Sequence, residues 1–267
     1  MFKFILIFVC LFTVVGCGDN DVVIDETLPV TTYFAIESNL ADGEWQDFIS
    51  ISVNSENIVT NIELNGVSQL ASRSRREIAQ LDDYEEVFGY NFYEQADLLE
   101  RYLIGTYRDG LANGIRAAYD TGRVDFDTQT FADLAVLALA SSPIEQGPYI
   151  DGTYRSTSDI DDDGLQYFVN LFVLNGDIVA VHFNATSNNG LKYEPFSTTT
   201  DDETNAWRHQ AALLEQSLIE LQDPMAFTFC ENGFTTDIPG VTIEIESFVS
   251  LTTQALAAGH VAIESEE

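Results

Sequence analysis

The sequence predicts an α+β fold made of two tandem copies of one small unit, an antiparallel sheet followed by helices. Three observations predict it. Paired stretches of alternating, β-branched residues with turn residues between them are hairpin signals, and they occur twice. Each pair is followed by apolar residues at helical spacing. The same series of features also runs through the chain in the same order twice.

The first copy opens at Asp42-Gly43-Glu44-Trp45 and the second at Asp151-Gly152-Thr153-Tyr154. In the first, the strand Phe48 to Val53 leads through a turn at Asn54 to Asn57 into Ile58 to Ile62. In the second, Phe168 to Val173 leads through Asn175-Gly176-Asp177 into Ile178 to Phe183. Asn65-Gly66 and Asn189-Gly190 follow, and then the helical stretches Glu94 to Glu100 and His209 to Glu215, continued by Leu103 and Leu218. Each copy is expected to close with a strand-like segment and a last helix. The phasing of that helix is shared, because Asp120 to Phe131 and Asp237 to Phe248 both span 11 residues. The expected organisation is a signal peptide at 1–16, a polar tether at 17–39, the first copy at 40–142 and the second at 149–260.

The first residues support export. Lys3 precedes an unbroken apolar stretch from Phe4 to Val15, the pattern of a secretory signal. It is shorter than the roughly 20 residues a spanning helix needs. Its end, Val14-Val15-Gly16-Cys17, resembles the bacterial lipobox, in which the cysteine receives a lipid before cleavage. Cys10 lies within the signal and Cys17 at the anchor, so Cys230 is left without a partner for an intramolecular disulfide and is expected to be buried apolar filler. Acidic residues number 44 against 11 basic ones, a net charge of −33. Such a field opposes binding of nucleic acid and anionic lipid surfaces. Hydrophobic residues at 45% and aromatic residues at 12% exclude a disordered chain despite that charge.

The unit of Asp-Gly-aromatic, hairpin, Asn-Gly, helix, Gly-Val-Thr and helix resembles the FMN-binding domain family. That family includes lipid-anchored flavoproteins of extracellular electron transfer with two copies behind a lipobox. The resemblance covers roughly Ala41 to Ala258, and its sharpest element is Asp237-Ile238-Pro239-Gly240-Val241-Thr242-Ile243. It implies that Thr242 is the residue to which a separate transferase joins FMN by a phosphoester, with Gly240 and Val241 shaping the loop. A helix starting near Ser247 would present amide donors towards phosphate. Pro239 stands where the family has Ser or Ala. In the first copy Asp125 falls where Thr242 falls and Arg123 where Gly240 falls. An aspartate has no hydroxyl to esterify, so the first copy is expected to be a degenerate partner.

Among the remaining candidates, Lys192 is a conceivable phosphate or flavin contact, with a surface turn as its plain alternative. The second copy carries about eleven extra residues between Tyr154 and Phe168, and within this insertion Asp159, Asp161 and Asp163 alternate before Gly164, resembling the start of a calcium loop. The twelfth position is Asn170 instead of the bidentate Glu, so an acidic surface loop is the simpler account. His182, His209 and His260 show no metal spacing and are expected in structural roles. No P-loop, Rossmann glycine pattern, serine-hydrolase elbow or CxxC pair occurs.

The expectation is therefore a lipid-tethered flavoprotein that carries electrons outside the cell membrane and is not a classical enzyme. Its implied partners are the membrane, a flavin transferase and a membrane electron donor. The alternative is a non-redox binding or structural lipoprotein without cofactor. Cys17→Ala is expected to block lipidation and move the protein out of the membrane fraction; palmitate labelling that persists in the variant refutes the anchor.

Overall fold

The computed structural model describes residues 24–25, 27–37, 45–68, 73–81, 84–187, 190–191 and 203–260, with the backbone alone at 190–191 and 203–206. Two antiparallel sheets organise them. The first holds β1 (Val30–Ile36), β2 (Trp45–Asn54) and β3 (Val59–Ser68) in that order. The second holds β4 (Gly152–Ile160), β5 (Gln166–Leu174), β6 (Asp177–Ser187) and the two-residue β7 (Gly190–Leu191), also in chain order. Helices α1 (Arg75–Ile78), α2 (Tyr84–Phe88), α3 (Phe92–Leu103), α4 (Leu111–Asp120) and α5 (Gln129–Ala140) accompany the first sheet. Helices α6 (Glu203–Leu221) and α7 (Glu246–Ala258) accompany the second. The architecture is mixed α+β, with two small sheets each covered by its own helices.

Four expectations about the repeat change. The stretch 17–39, read as a polar tether, contains β1, whose Val-Thr-Thr-Tyr-Phe-Ala-Ile alternation pairs with β2 in register from Val30–Asn54 to Ile36–Phe48. The counterpart of β4 is therefore β1, and Trp45 begins β2 while Tyr154 lies inside β4. The two Asp-Gly-aromatic openings are not equivalent, and the acidic segment at 159–164 is no insertion. It closes the β4–β5 hairpin. Asn65-Gly66 lies within β3 instead of after it. The closing segments after Asp120 and Asp237 form turns, with no strand among the described residues.

The hairpins follow from turn chemistry. Asn175 (φ 53°) and Gly176 (φ 80°) supply the two left-handed residues that a tight β5–β6 turn requires. Asn57 (φ 63°) performs the same reversal between β2 and β3.

One face of each sheet packs on its helices. Ile49, Ile51, Val59, Ile62 and Leu64 meet Phe92, Leu99 and Phe131, while Val169, Leu171, Val181 and Phe183 meet Leu214, Leu218 and Phe248. The strands facing the helices have exposed edges, and buried glutamates seal them. Glu215 of α6 is fully buried; its Oε1 accepts the backbone N–H of Phe183 on β6 at 2.7 Å. Arg208, two turns earlier on α6, grips both carboxylate oxygens at 2.9 and 3.0 Å. In the first half Glu100 of α3 accepts the N–H of Leu64 on β3 at 2.7 Å and pairs with Arg76 of α1 at 2.5 Å. Burial raises the Glu100 carboxyl to about 7, against the pull of Arg76. The same edges are closed once more. Gln222 gives and takes a hydrogen bond at Ile178, and the backbone of Gly105 and Thr106 does so at Val59. A strand edge left with buried, unpaired amides is unstable, and these side chains remove the problem twice.

The opposite faces of the two sheets meet each other. Phe48 and Val67 pack against Phe172, Val179 and Ala180, with the Phe48 and Phe172 rings 5.0 Å apart. This seam is partly polar. His182 is buried, and neither ring nitrogen has a hydrogen-bond partner, nor does the nearby Thr153 hydroxyl. Both line a cavity of about 10 Å³, with Ser68 and Arg73 from the first half and Asn170 from the second. That is the lower limit of room for a single water molecule, and Val67, Leu171, Phe172 and Ala180 make most of the wall apolar. Burial, with Arg208 as a lesser cause, depresses the imidazole to about 3.

Two outcomes follow. Glu215→Ala leaves Arg208 buried without its anion and should cost about 3 kcal/mol or more in denaturant unfolding, whereas Asp97→Ala, at an exposed ion pair with Arg101, should cost under about 1 kcal/mol. The depressed His182 contributes stability that is complete above its unfolded value and lost as pH falls from about 6.5 towards 3. Wild-type stability minus that of His182→Gln should therefore shrink below pH 6.5 by up to about 1.4 kcal/mol per pH unit; a pH-independent difference would contradict a buried neutral imidazole.

Candidate acceptor loop

The loop before α7 is positioned by a turn and by one side chain. Ile238-Pro239-Gly240-Val241 forms a β-turn closed by Val241 N–H to Ile238 O at 3.2 Å. Gly240 has φ 89°, the left-handed value that the third residue of a type II turn needs after a proline. Pro239, the departure from the family pattern, is thus explained by the turn it starts. A Cβ on Gly240 would also lie 3.2 Å from Leu213 Cδ1 of α6. Val241 is buried, Thr242 is exposed and Ile243 packs at the edge of the core, so the threonine points outward from a segment pinned on both sides.

Gln210 of α6 holds this segment. Its Oε1 accepts the Thr242 N–H at 2.5 Å, the Thr242 hydroxyl at 3.1 Å and the Ile243 N–H at 3.1 Å. The first half repeats the contact. Gln95 of α3 accepts the Asp125 N–H at 2.7 Å through Oε1 and donates to Asp125 Oδ2 at 2.8 Å through Nε2. Gln95 and Gln210 each lie five residues before the sealing glutamate, Glu100 or Glu215. Val124, like Val241, is buried immediately before the exposed residue. The turns that deliver the two segments differ. In the first half the N–H groups of Gly122 and Arg123 cap the end of α4 by bonding to Tyr119 O and Ala118 O, with Gly122 left-handed (φ 66°). In the second half the proline-glycine turn does the work.

Helix α7 begins at Glu246, close to the position the sequence predicts, and Ile245 at its N-terminus provides no side-chain cap. Its first turn carries Glu246, and Glu244 precedes it, so the local charge opposes a free phosphate. A groove of about 460 Å³ starts here, walled by Asp159, Glu244 and Glu246 together with Ser247, Ser250 and Leu251. Arginines do not compensate: among the described residues of the second half, Arg208 is held by Glu215 and Arg155 donates to Asn170 and lies over Phe168. The local charge therefore opposes a phosphate held by ionic contacts alone, and Thr242 presents an exposed hydroxyl beside it.

The calcium expectation meets a different geometry. The Asp161 carboxylate accepts the N–H groups of Asp163 and Leu165 at 3.0 and 2.8 Å, the signature of a side-chain-capped hairpin turn. Among the described residues no three acidic, histidine or cysteine side chains gather to hold a metal ion. Asp159, Asp161 and Asp163 thus lie in a turn and its flank. Cys230, expected to be buried, is exposed. His209 is exposed on α6, and His260 lies beside Tyr154, with ring centres 6.3 Å apart. Cys17 and Lys192 fall outside the described residues. Among the described residues no helix is long and apolar enough to cross a membrane.

The sequence pattern includes Thr242 but gives no sign of Gln210 or Gln95. Both stand inside the matching helical stretches, where a glutamine five residues before a glutamate in each copy was the available signal.

No family model matches the chain, and no curated protein matches it. Two solved structures are similar to part of it. One is the solution structure of a Clostridium thermocellum protein, 31% identical, covering 40% of this chain and 90% of that one, with a TM-score of 0.33. The other is the crystal structure of a Clostridium perfringens protein, 22% identical, covering 42% of this chain and 89% of that one, with a TM-score of 0.31. At these scores neither likeness bears on what the loop does.

Proposed function

We propose that this protein is a lipid-anchored electron carrier that holds one FMN, esterified to Thr242, and that its first half carries none. The observation that supports this most is the mounted, outward-facing Thr242 hydroxyl, set against an aspartate in the same mount of the first half. Gly240 and Val241 shape the loop, and Thr242 supplies the ester oxygen. Lys192 is a further contact in this reading. When bound, FMN supplies one- and two-electron transfer; the protein's part is to place it. Esterification suits the acidic surface, because a covalent bond holds a phosphate that the neighbouring carboxylates would otherwise repel. Export and the lipid on Cys17 place the carrier at the outer side of a membrane, supplied by a membrane electron donor, with a transferase that installs the flavin from FAD.

The second reading is a non-redox binding or structural lipoprotein. The turn itself favours it, since Pro239-Gly240 is sufficient reason for the loop's shape without any cofactor. Protein co-expressed with the transferase separates the two. The first reading requires one flavin mass per chain and a fluorescent band on denaturing gels that Thr242→Ala abolishes with the fold unchanged, because the side chain is exposed. Wild-type protein that stays colourless favours the second. A label surviving in Thr242→Ala assigns the ester to another residue.

A further inference from the structure

We propose that Gln210 is the positioning residue of the acceptor site, an inference that rests on reading Thr242 as the acceptor. One amide oxygen collects three donors, two of them backbone N–H groups, so Gln210 fixes the main chain of Thr242 and Ile243 to α6 as well as the hydroxyl rotor. With the hydroxyl hydrogen directed at Gln210 Oε1, the lone pairs of Thr242 Oγ1 face solvent, where a phosphorus centre can approach. In the transfer, Thr242 Oγ1 bonds to the flavin-side phosphorus of FAD as that phosphorus loses its bond to the bridging oxygen. AMP leaves with the electron pair, the hydroxyl proton passes to the transferase, and nothing is oxidised or reduced. Afterwards Oγ1 no longer donates, yet Gln210 Oε1 keeps both backbone N–H groups, so the loop stays mounted through the reaction.

The first half supports a positioning role independent of the hydroxyl. Gln95 holds the Asp125 backbone N–H in the same way although Asp125 has nothing to esterify. The clamp is a property of the unit, and the acceptor is the residue placed in it. A glutamine at this site is half-buried and contributes no apolar surface comparable to the neighbouring Ala211 and Leu214, which are fully buried. Its removal loosens the loop and leaves the core in place.

The test measures flavin transfer from FAD onto the full chain by purified transferase, with initial rates at varied concentrations of the acceptor protein. Gln210→Ala should lower kcat by about tenfold or more through misplacement of the nucleophile, with KM little changed. Gln210→Glu, whose carboxylate accepts the same three donors, should restore most of the rate. Hydrogen exchange at the Thr242 and Ile243 amides should speed up in Gln210→Ala and not in Gln210→Glu, with or without flavin. Wild-type protein labelled on Thr242 and Gln210→Ala labelled at the same rate overturns the role of Gln210 alone. Wild-type protein that takes no label at Thr242 overturns the acceptor reading and this inference with it. A loss in Gln210→Ala that Gln210→Glu does not recover, with unchanged amide exchange, also overturns the positioning role.

Discussion

The burial of a carboxylate against the edge of each sheet is the constraint on which the rest of the structure depends. A strand such as β6 needs a helix across its apolar face, yet its outer N–H groups then lie where water cannot reach. Glu215 resolves this at Phe183, and its charge requires Arg208 close by. That requirement fixes the rotation of α6, since Arg208 and Glu215 must share the inward face. Once the rotation is fixed, Gln210 falls on the side facing the 238–243 turn, and Gln222 falls at Ile178. In the first half Glu100 fixes α3 in the same manner, with its cation coming from α1 instead. The sealing of an edge and the mounting of the candidate loop are consequences of one helix orientation.

The two sheets differ in how they treat their shared seam. Phe48 and Phe172 provide ordinary apolar contact, while His182 is held neutral without a partner for either nitrogen. Its register counterpart in β3 is Glu63, which burial likewise drives towards its neutral form. Titratable groups thus lie at depth in this seam as well as on the helix-covered sides, where Glu100 and Glu215 are buried.

Much of the fold was legible in the sequence. Alternation and the Asn-Gly turn locate β2, β3, β5 and β6, and helical spacing locates α3, α5, α6 and α7. The misplacement of β1 has a physical cause. Its alternation is short and interrupted by threonines, and the turn residues after it, Asp42-Gly43, read as the opening of the first copy, so it blends into the polar segment before it. Losing β1 shifted only the openings of the two halves, setting Trp45 of β2 against Tyr154 of β4, and made the β4–β5 hairpin look like an added acidic loop, while β2 and β3 stayed matched to β5 and β6. Spacing within helices survived the shift, because Asp125 and Thr242 do occupy the same glutamine mount. The mount itself left only a faint mark, a glutamine five residues before a glutamate in each copy, which points to no contact until the loop 30 or 32 residues away is known to reach it.

The join between the halves lies against both of them. Ile144 donates its N–H to Thr32 O on β1, Gly147 donates to Asn175 O in the β5–β6 turn, and Tyr149 donates to Gly176 O. Gly147 and Gly176 are pressed so closely that a Cβ on either would sit 2.2 or 2.3 Å from the other's carbonyl oxygen. A connection of this kind is no hinge. Lengthening it or giving it side chains would pry a hairpin of the second half away from a strand of the first, so the segment constrains how the gene can change as much as any core residue.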